Sequence, residues 1–183
     1  MQVDVRTALL WFPMRVTYGR EEAVKKALDH DGVDNFLPMR EEWIYDDNHI
    51  PHRCLKPAIR NLIFIHSSQE QITQLKMYGR EYQSLRYMTN VFSESDKILT
   101  VPDRQMDNFI RVASVQDDRV RFLEYNHEFL AKPGKRVRVI DGDFKGSEGT
   151  IRRIKKNQCV VVQVEGVAAV AITFVPSAWL EEI

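Results

Sequence analysis

The run Gly134-Lys135-Arg136-Val137-Arg138-Val139-Ile140-Asp141-Gly142-Asp143-Phe144-Lys145-Gly146-Ser147-Glu148-Gly149-Thr150-Ile151 decides how the last third of this chain folds. Val137 and Val139 alternate with Arg136 and Arg138, a period of two that makes a half-buried strand with a basic outer face. Gly142, Gly146 and Gly149 then fall around Phe144. Glycine serves where the chain needs positive φ or passes close to another backbone. From Thr150 to Ile154 the alternation returns, with Ile151 and Ile154 beside Arg152 and Arg153. Short strands turning this tightly predict a very small β-barrel.

Charge sets this end apart. Lys132 to Lys156 carries nine Lys/Arg against three Asp/Glu, although the chain as a whole balances 26 against 26. A locally basic unit on a neutral protein points to nucleic acid or an acidic partner surface, or to a solvated face of the barrel. A freestanding nucleic-acid binder is normally more basic overall. The 183 residues fit one ordinary domain or two small ones, and 44% hydrophobic with 28% charged residues is a globular profile. No run of eighteen apolar residues exists, and Met1 to Arg6 lacks the pattern of a signal peptide. Cys54 and Cys159 lie far apart, as free thiols of a cytoplasmic protein would, and no membrane partner is expected.

Working toward the N-terminus, the reading places a first domain at 1–112, a linker at 113–131 and the barrel at 132–183. Lys132-Pro133-Gly134 stops whatever precedes it. The linker retains Phe122, Leu123, Phe129 and Leu130, so part of it is expected to pack. In the first domain Ala8 to Val16 reads as a strand, with Pro13 arguing for an edge or a bulge. Glu21 to His30 reads as a helix with Ala23, Val24, Ala27 and Leu28 on one face and Gly32 beyond its end. Strands follow at Val33 to Pro38, Arg40 to Tyr45 and Ile59 to His66. Ser68 to Gln71 has capping-box spacing and opens a helix to about Tyr82. Leu85 to Phe92 reads as a strand and Pro102 to Val112 as a helix. The fold class is α+β: a mixed or antiparallel sheet with helices, followed by a small barrel.

The C-terminal stretch resembles the KOW motif of small barrel domains in ribosomal proteins and transcription elongation factors, specifically at Val137, Val139, Gly142, Phe144, Gly146 and Gly149. The first domain resembles the N-terminal domain of the NusG family of transcription elongation factors. Trp11-Phe12 stands where that family opens its first strand with an aromatic pair, and Glu21 to Leu28 matches its first helix. Asn35-Phe36-Leu37-Pro38 matches its Phe-x-Pro strand, Pro57 to Ile65 its Pro-Leu-Phe-Pro-Gly-Tyr-x-Phe-Val strand, and Val101-Pro102-Asp103 the start of its last helix. Ile59-Arg60-Asn61 replaces the family's aromatic and Pro-Gly, and Leu62 its Tyr. Those departures are closer to the specialised RfaH-like or UpxY-type paralogues than to the housekeeping factor. Cys159 to Val164 is strongly β in propensity, so a barrel is expected rather than the helical hairpin some RfaH-like proteins form.

The resemblance implies a factor that grips the clamp helices of RNA polymerase through an apolar patch on the first domain and suppresses pausing or termination. The family positions of that patch fall on Phe12, Leu62, Phe64 and Tyr87; core packing is the competing reading, above all for Leu62 and Phe64. Arg15, Arg20, Lys25 and Lys26 are the candidates for contact with nucleic acid in the elongation complex. The KOW domain is expected to recruit a termination factor or a small-subunit ribosomal protein, with Phe144 and Ile172 to Phe174 the places to look, although Phe144 also suits the barrel interior. The rival reading is a ribosome-associated or free RNA-binding KOW protein. A polymerase partner requires an exposed apolar patch, and RNA a continuous basic face.

Other constellations are weaker. His49, His52 and Cys54 carry metal-ligand chemistry, but the spacing is not that of a structural zinc site and Pro51 breaks any helix that would align the imidazoles. A polar hairpin accounts for them better. No hydrolase elbow, phosphate loop or nucleotide fingerprint is present, so neither an enzyme nor a cofactor is expected.

Overall fold

The computed structural model describes residues 6–89, 97–123, 130, 132 and 134–183. It divides into two compact units, Met1–Asp103 and Arg104–Ile183.

The first unit contains β1 (Leu10–Val16), α1 (Glu21–His30), β2 (Asn35–Phe36), β3 (Met39–Tyr45), β4 (Pro51–Pro57), β5 (Leu62–Ser67), α2 (Gln69–Tyr78) and β6 (Leu85–Tyr87). Four strands form a sheet in the order β2-β5-β1-β6, and β3 with β4 forms a separate hairpin. The pairings are antiparallel. Phe12, Met14 and Val16 from β1 and Ile63 and Ile65 from β5 share a core with Val24 and Leu28 of α1 and Ile72 of α2. Each such side chain contributes about 1.5–3 kcal/mol through burial. On α1, Ala23 is exposed and Glu21 is buried, so the apolar stripe is narrower than the four-residue face expected. The Glu21 carboxylate accepts the amide of Asn61 at 2.6 Å.

Three expectations shift. Pro13 sits in an inner strand rather than at an edge. The carbonyl of Trp11, which points to the same side of β1 as Pro13, accepts from Val101, and pairing with β6 starts only at Met14. The missing N–H of proline therefore falls in a gap between ladders. The strand expected from Ile59 starts at Leu62, because Asn61 is left-handed at φ 59° and its carbonyl accepts from Val16. The helix after Ser68 ends at Tyr78: Gly79 is extended, and Arg80–Tyr82 forms a separate 3-10 turn. Ser68 does cap α2, its hydroxyl accepting from the Gln71 amide at 3.1 Å, but the Gln71 side chain turns to Ser67 and leaves the box half closed. The strand expected to reach Phe92 ends at Tyr87, with Met88 outside it and Thr89 in an isolated bridge to Ile98; 90–96 lie outside the described residues.

The second unit begins along α3 (Asp103–Ala113), which buries Met106, Phe109, Val112 and Ala113. β7 (Val120–Leu123), β8 (Arg136–Val139), β9 (Glu148–Ile154), β10 (Asn157–Val164), β11 (Ala168–Thr173) and β12 (Leu180–Glu182) follow. They form one antiparallel sheet in the order β12-β8-β9-β10-β11-β7. Strand β7 lies inside the segment expected to link the domains and pairs with β11. Val137 and Val139 are buried, as their alternation predicts. Cys159 to Val164 is strand. Two glycines have distinct physical reasons. Gly142 turns at φ 76°, while a Cβ on Gly149 would come within 2.6 Å of the Val161 carbonyl oxygen.

Candidate functional site

Strand register divides the four apolar candidates between two faces. Phe12 lies opposite Ile65 and Met14 opposite both Ile63 and Tyr87, so Phe12 and Tyr87 share the face that carries α1 and α2. Pro13 lies opposite Phe64 and Arg15 opposite Leu62, which puts Leu62 and Phe64 on the other face. No single patch can hold all four.

Burial sharpens the point. Phe12 and Phe64 have no exposed surface and Leu62 keeps 4%. Tyr87 is half-buried. Its hydroxyl donates to the Gln69 carbonyl at 3.1 Å, its ring meets Phe12 edge-on at 6.1 Å, and Lys76 sits 4.6 Å above the ring centre. Burial pushes the Tyr87 phenol up from its ordinary value. A contiguous exposed patch around Phe12 and Tyr87 is therefore absent, because Phe12 anchors the core beneath α1 and α2.

The β3–β4 hairpin carries a run of exposed apolar side chains, in addition to Leu9, Tyr18, Met77 and Tyr78 elsewhere in this unit. Glu41, Trp43 and Tyr45 face Leu55, Arg53 and Pro51 across the ladder, all on one side. Trp43 is 62% exposed and Tyr45 70%, with Leu55 and Ile50 also exposed. The Arg53 guanidinium lies 5.1 Å from the centre of the Trp43 ring and 2.8 Å from the Glu41 carboxylate. Arg40 is paired with Glu42. Both arginines of the hairpin are thus neutralised beside a bare aromatic strip. The sequence carried a signal for this in the Trp43/Tyr45 alternation on a segment whose other face sets Arg40 and Glu42 beside Ile44. His49 and His52 are exposed near the hairpin tip, where Asp46 accepts the amides of Asn48 and Ile50.

The basic candidates separate likewise. Lys25 is occupied by Asp29 at 2.9 Å and Asn35 at 3.4 Å. Arg20 caps the start of α1 without a side-chain hydrogen bond to it, and Lys26 is exposed. Arg15 is exposed directly across the ladder from Arg86.

In the second unit, Phe144 is buried beneath the Arg119 guanidinium, 5.0 Å from its ring centre. Glu148 gathers Arg104 and Arg138 at 2.8 Å and Arg136 at 3.7 Å. Arg138, first through its hydrogen bond, and Arg104 hold its carboxyl below the usual carboxylate range. Lys135 pairs with Glu182, and Arg138 also reaches Glu181. The basic outer face expected from Arg136 and Arg138 is therefore largely neutralised by glutamates. Ile172 is buried, whereas Phe174 is 66% exposed.

Residues 9–110 match the family described as transcription termination factor NusG. The chain belongs to the NusG family. Residues 133–165 match the KOW motif, so the NusG and KOW segments follow one another in the order the resemblance implies. Among solved structures, one described as domain interaction in Thermotoga maritima NusG aligns with 96% of this chain and 98% of its own, at 18% identity and a TM-score of 0.47. No curated protein matches. Among the described residues, no helix is long and apolar enough to cross a membrane.

Proposed function

We propose that this chain is a bacterial, cytoplasmic transcription elongation and antitermination factor, a specialised RfaH- or UpxY-like member of the NusG family. In this reading its first unit binds the clamp helices of RNA polymerase. By binding the active state more tightly than the paused one, it shifts the population away from pausing and termination. Its KOW unit recruits a termination factor or a small-subunit ribosomal protein. The replacement of the family's aromatic and Pro-Gly by Ile59-Arg60-Asn61 supports the specialised assignment.

The observation that carries a protein partner over RNA is the hairpin strip of Trp43, Tyr45 and Leu55, apolar and electrically neutral. Trp, Tyr and Arg are the residue types that dominate interface energetics. Leu62 and Phe64 are proposed for the same contact in a state that uncovers their face, with Phe12 and Tyr87 holding the opposite face in shape. Nucleic acid in the elongation complex would meet Arg15, Arg20 and Lys26. The rival RNA-binding reading is weakened at β8, where Arg136 and Arg138 pair with Glu148 and Arg138 also reaches Glu181, and rests instead on the exposed Arg153, Lys155 and Lys156.

The test is binding of the full chain to purified RNA polymerase, with protein-free RNA in parallel across a salt series. Saturable polymerase binding that falls at least tenfold in Trp43→Ala/Tyr45→Ala supports the reading. RNA binding that weakens steeply with salt, without polymerase binding, sinks it.

A further inference from the structure

Strand β7 closes one edge of the second sheet. It pairs with β11 and, among the described residues, has no strand on its other side. Arg121 is exposed, and Val120, Phe122 and Leu123 are only half-buried. All six residues of β11 beside it are buried. The covered strand is thus core and the covering strand is not. Elements with little buried apolar surface open locally while the rest of a domain stays folded.

What fixes β7 lies at the residue just before it. The Arg119 carbonyl accepts from the amide and the hydroxyl of Thr173, at 2.9 and 3.1 Å. The Arg119 guanidinium pairs with Asp117 and Asp143 and lies 5.0 Å from the centre of the buried Phe144 ring. Arg119 therefore clamps the start of β7 to the segment between β8 and β9. The Asp143 side chain is 67% exposed, so water and salt screen that half of the clamp.

The covered strand, Ala168-Ala169-Val170-Ala171-Ile172-Thr173, has no charge, no Pro and no Gly. A bare edge of this composition is a template for another strand. Two copies of β11 paired antiparallel about a two-fold axis at Ala171 set Val170 opposite Ile172 and Ala169 opposite Thr173, with no charge against another. Arg121, the charge that lies beside this edge across the ladder, belongs to β7 and leaves with it.

We propose that β7 is a releasable guard strand: clamped through Arg119 it keeps the β11 edge closed, and once released it lets β11 pair with β11 of a second copy of this chain. The strand thereby governs the association state of the protein, whatever either unit binds.

The test is hydrogen–deuterium exchange and light scattering on the full-length wild type, Arg119→Gln and Asp143→Asn, over a range of protein concentration. The wild type is expected to be monomeric, with β7 amides exchanging on the order of tenfold faster than those of β10. Arg119→Gln is expected to speed β7 exchange by about a further tenfold and Asp143→Asn by less, with β10 unchanged. At high concentration Arg119→Gln is expected to form dimers that dissociate on dilution. In those dimers the β11 amides are protected again while β7 stays open, which separates β11 pairing from association through another surface. Asp143→Asn alters only an exposed carboxylate and carries the same test should Arg119→Gln not fold. Wild-type β7 amides that exchange no faster than those of β10 overturn the proposal. So does a variant that opens yet stays monomeric, or one that associates with its β11 amides unprotected.

Discussion

Asn108 on α3 and Glu148 at the start of β9 hold one another through the Glu148 backbone. The Asn108 amide oxygen accepts the Glu148 N–H at 2.8 Å, and its amide nitrogen donates to the Glu148 carbonyl. One side chain thereby completes the ladder at a strand end, where both backbone groups would otherwise need other partners. The same glutamate carries the three-arginine cluster on its side chain, so Asn108 also positions that charge.

Replacing Asn108 by alanine removes both bonds and strands two part-buried backbone groups. The expected cost is about 1–3 kcal/mol, a fall of roughly 2–12 °C in melting temperature for a chain of this size. Asn108→Asp keeps the acceptor but sets a carboxylate against a carbonyl, and is expected to melt at or below Asn108→Ala. Thermal unfolding of the three proteins side by side decides it. Equal melting temperatures would mean that water replaces the amide without loss.

The Glu148 carboxyl is held below its ordinary value of 4.5, first by the hydrogen bond from Arg138 and further by Arg104. A depressed carboxyl binds fewer protons folded than unfolded. Its stabilisation is therefore complete above 4.5 and is lost as pH falls through the folded value. Denaturant midpoints from pH 7 to pH 3 should fall more steeply for wild type below about pH 4.5 than for Glu148→Gln. Parallel slopes would mean that the arginines contribute nothing to folding through this group. Asp117 and Asp29 are depressed as well, by Arg119 and by Asn35 with Lys25, so the difference between the two curves isolates Glu148.

Local periodicity was legible and register was not. Val137 and Val139 could be placed inward from their own neighbours, because alternation is a property of one strand. Phe12 and Phe64 each sit in an apolar strand, but whether they share a face depends on how the two strands are paired. Phe12 stands opposite Ile65, one residue out of step with Phe64, and that single step sends the two rings to opposite sides. Pro13 depends on topology in the same way: an inner strand tolerates it because β6 stops at Tyr87, more than seventy residues away in sequence, without reaching it. The exposure of Trp43 and Tyr45 follows from β3 pairing with β4 alone, again a fact of topology.

The β9–β10 turn offers a cleaner test of backbone strain. Its two residues, Lys155 and Lys156, have φ of 48° and 71°, the combination that favours Asn-Gly. Lys155→Asn/Lys156→Gly is expected to stabilise the chain by about 1 kcal/mol, read as a rise in denaturant midpoint with unchanged slope. No rise would mean that the lysines adopt the turn without strain. If the rival RNA reading holds, the same double variant should also lose RNA affinity and flatten its salt dependence, since it removes two exposed cations from the basic unit.

Phe12 and Trp43 separate folding from binding in the first unit. Phe12 has no exposed surface and packs among Met14, Ile65 and the two helices, so Phe12→Ala leaves a cavity and is expected to cost about 3–5 kcal/mol. Any loss of polymerase binding in that variant would follow from unfolding. Trp43 is 62% exposed on a hairpin face, so Trp43→Ala is expected to change stability by no more than about 0.5 kcal/mol. If the hairpin meets polymerase, the truncation removes an interface anchor worth about 2 kcal/mol, a thirtyfold loss of affinity in a protein that still melts like wild type. Binding isotherms and melting curves on the same preparations distinguish the cases. Weaker binding at unchanged stability places the contact on the hairpin. Unchanged binding moves it to the Leu62 and Phe64 face, where Phe64→Ser in a folded variant becomes the deciding substitution.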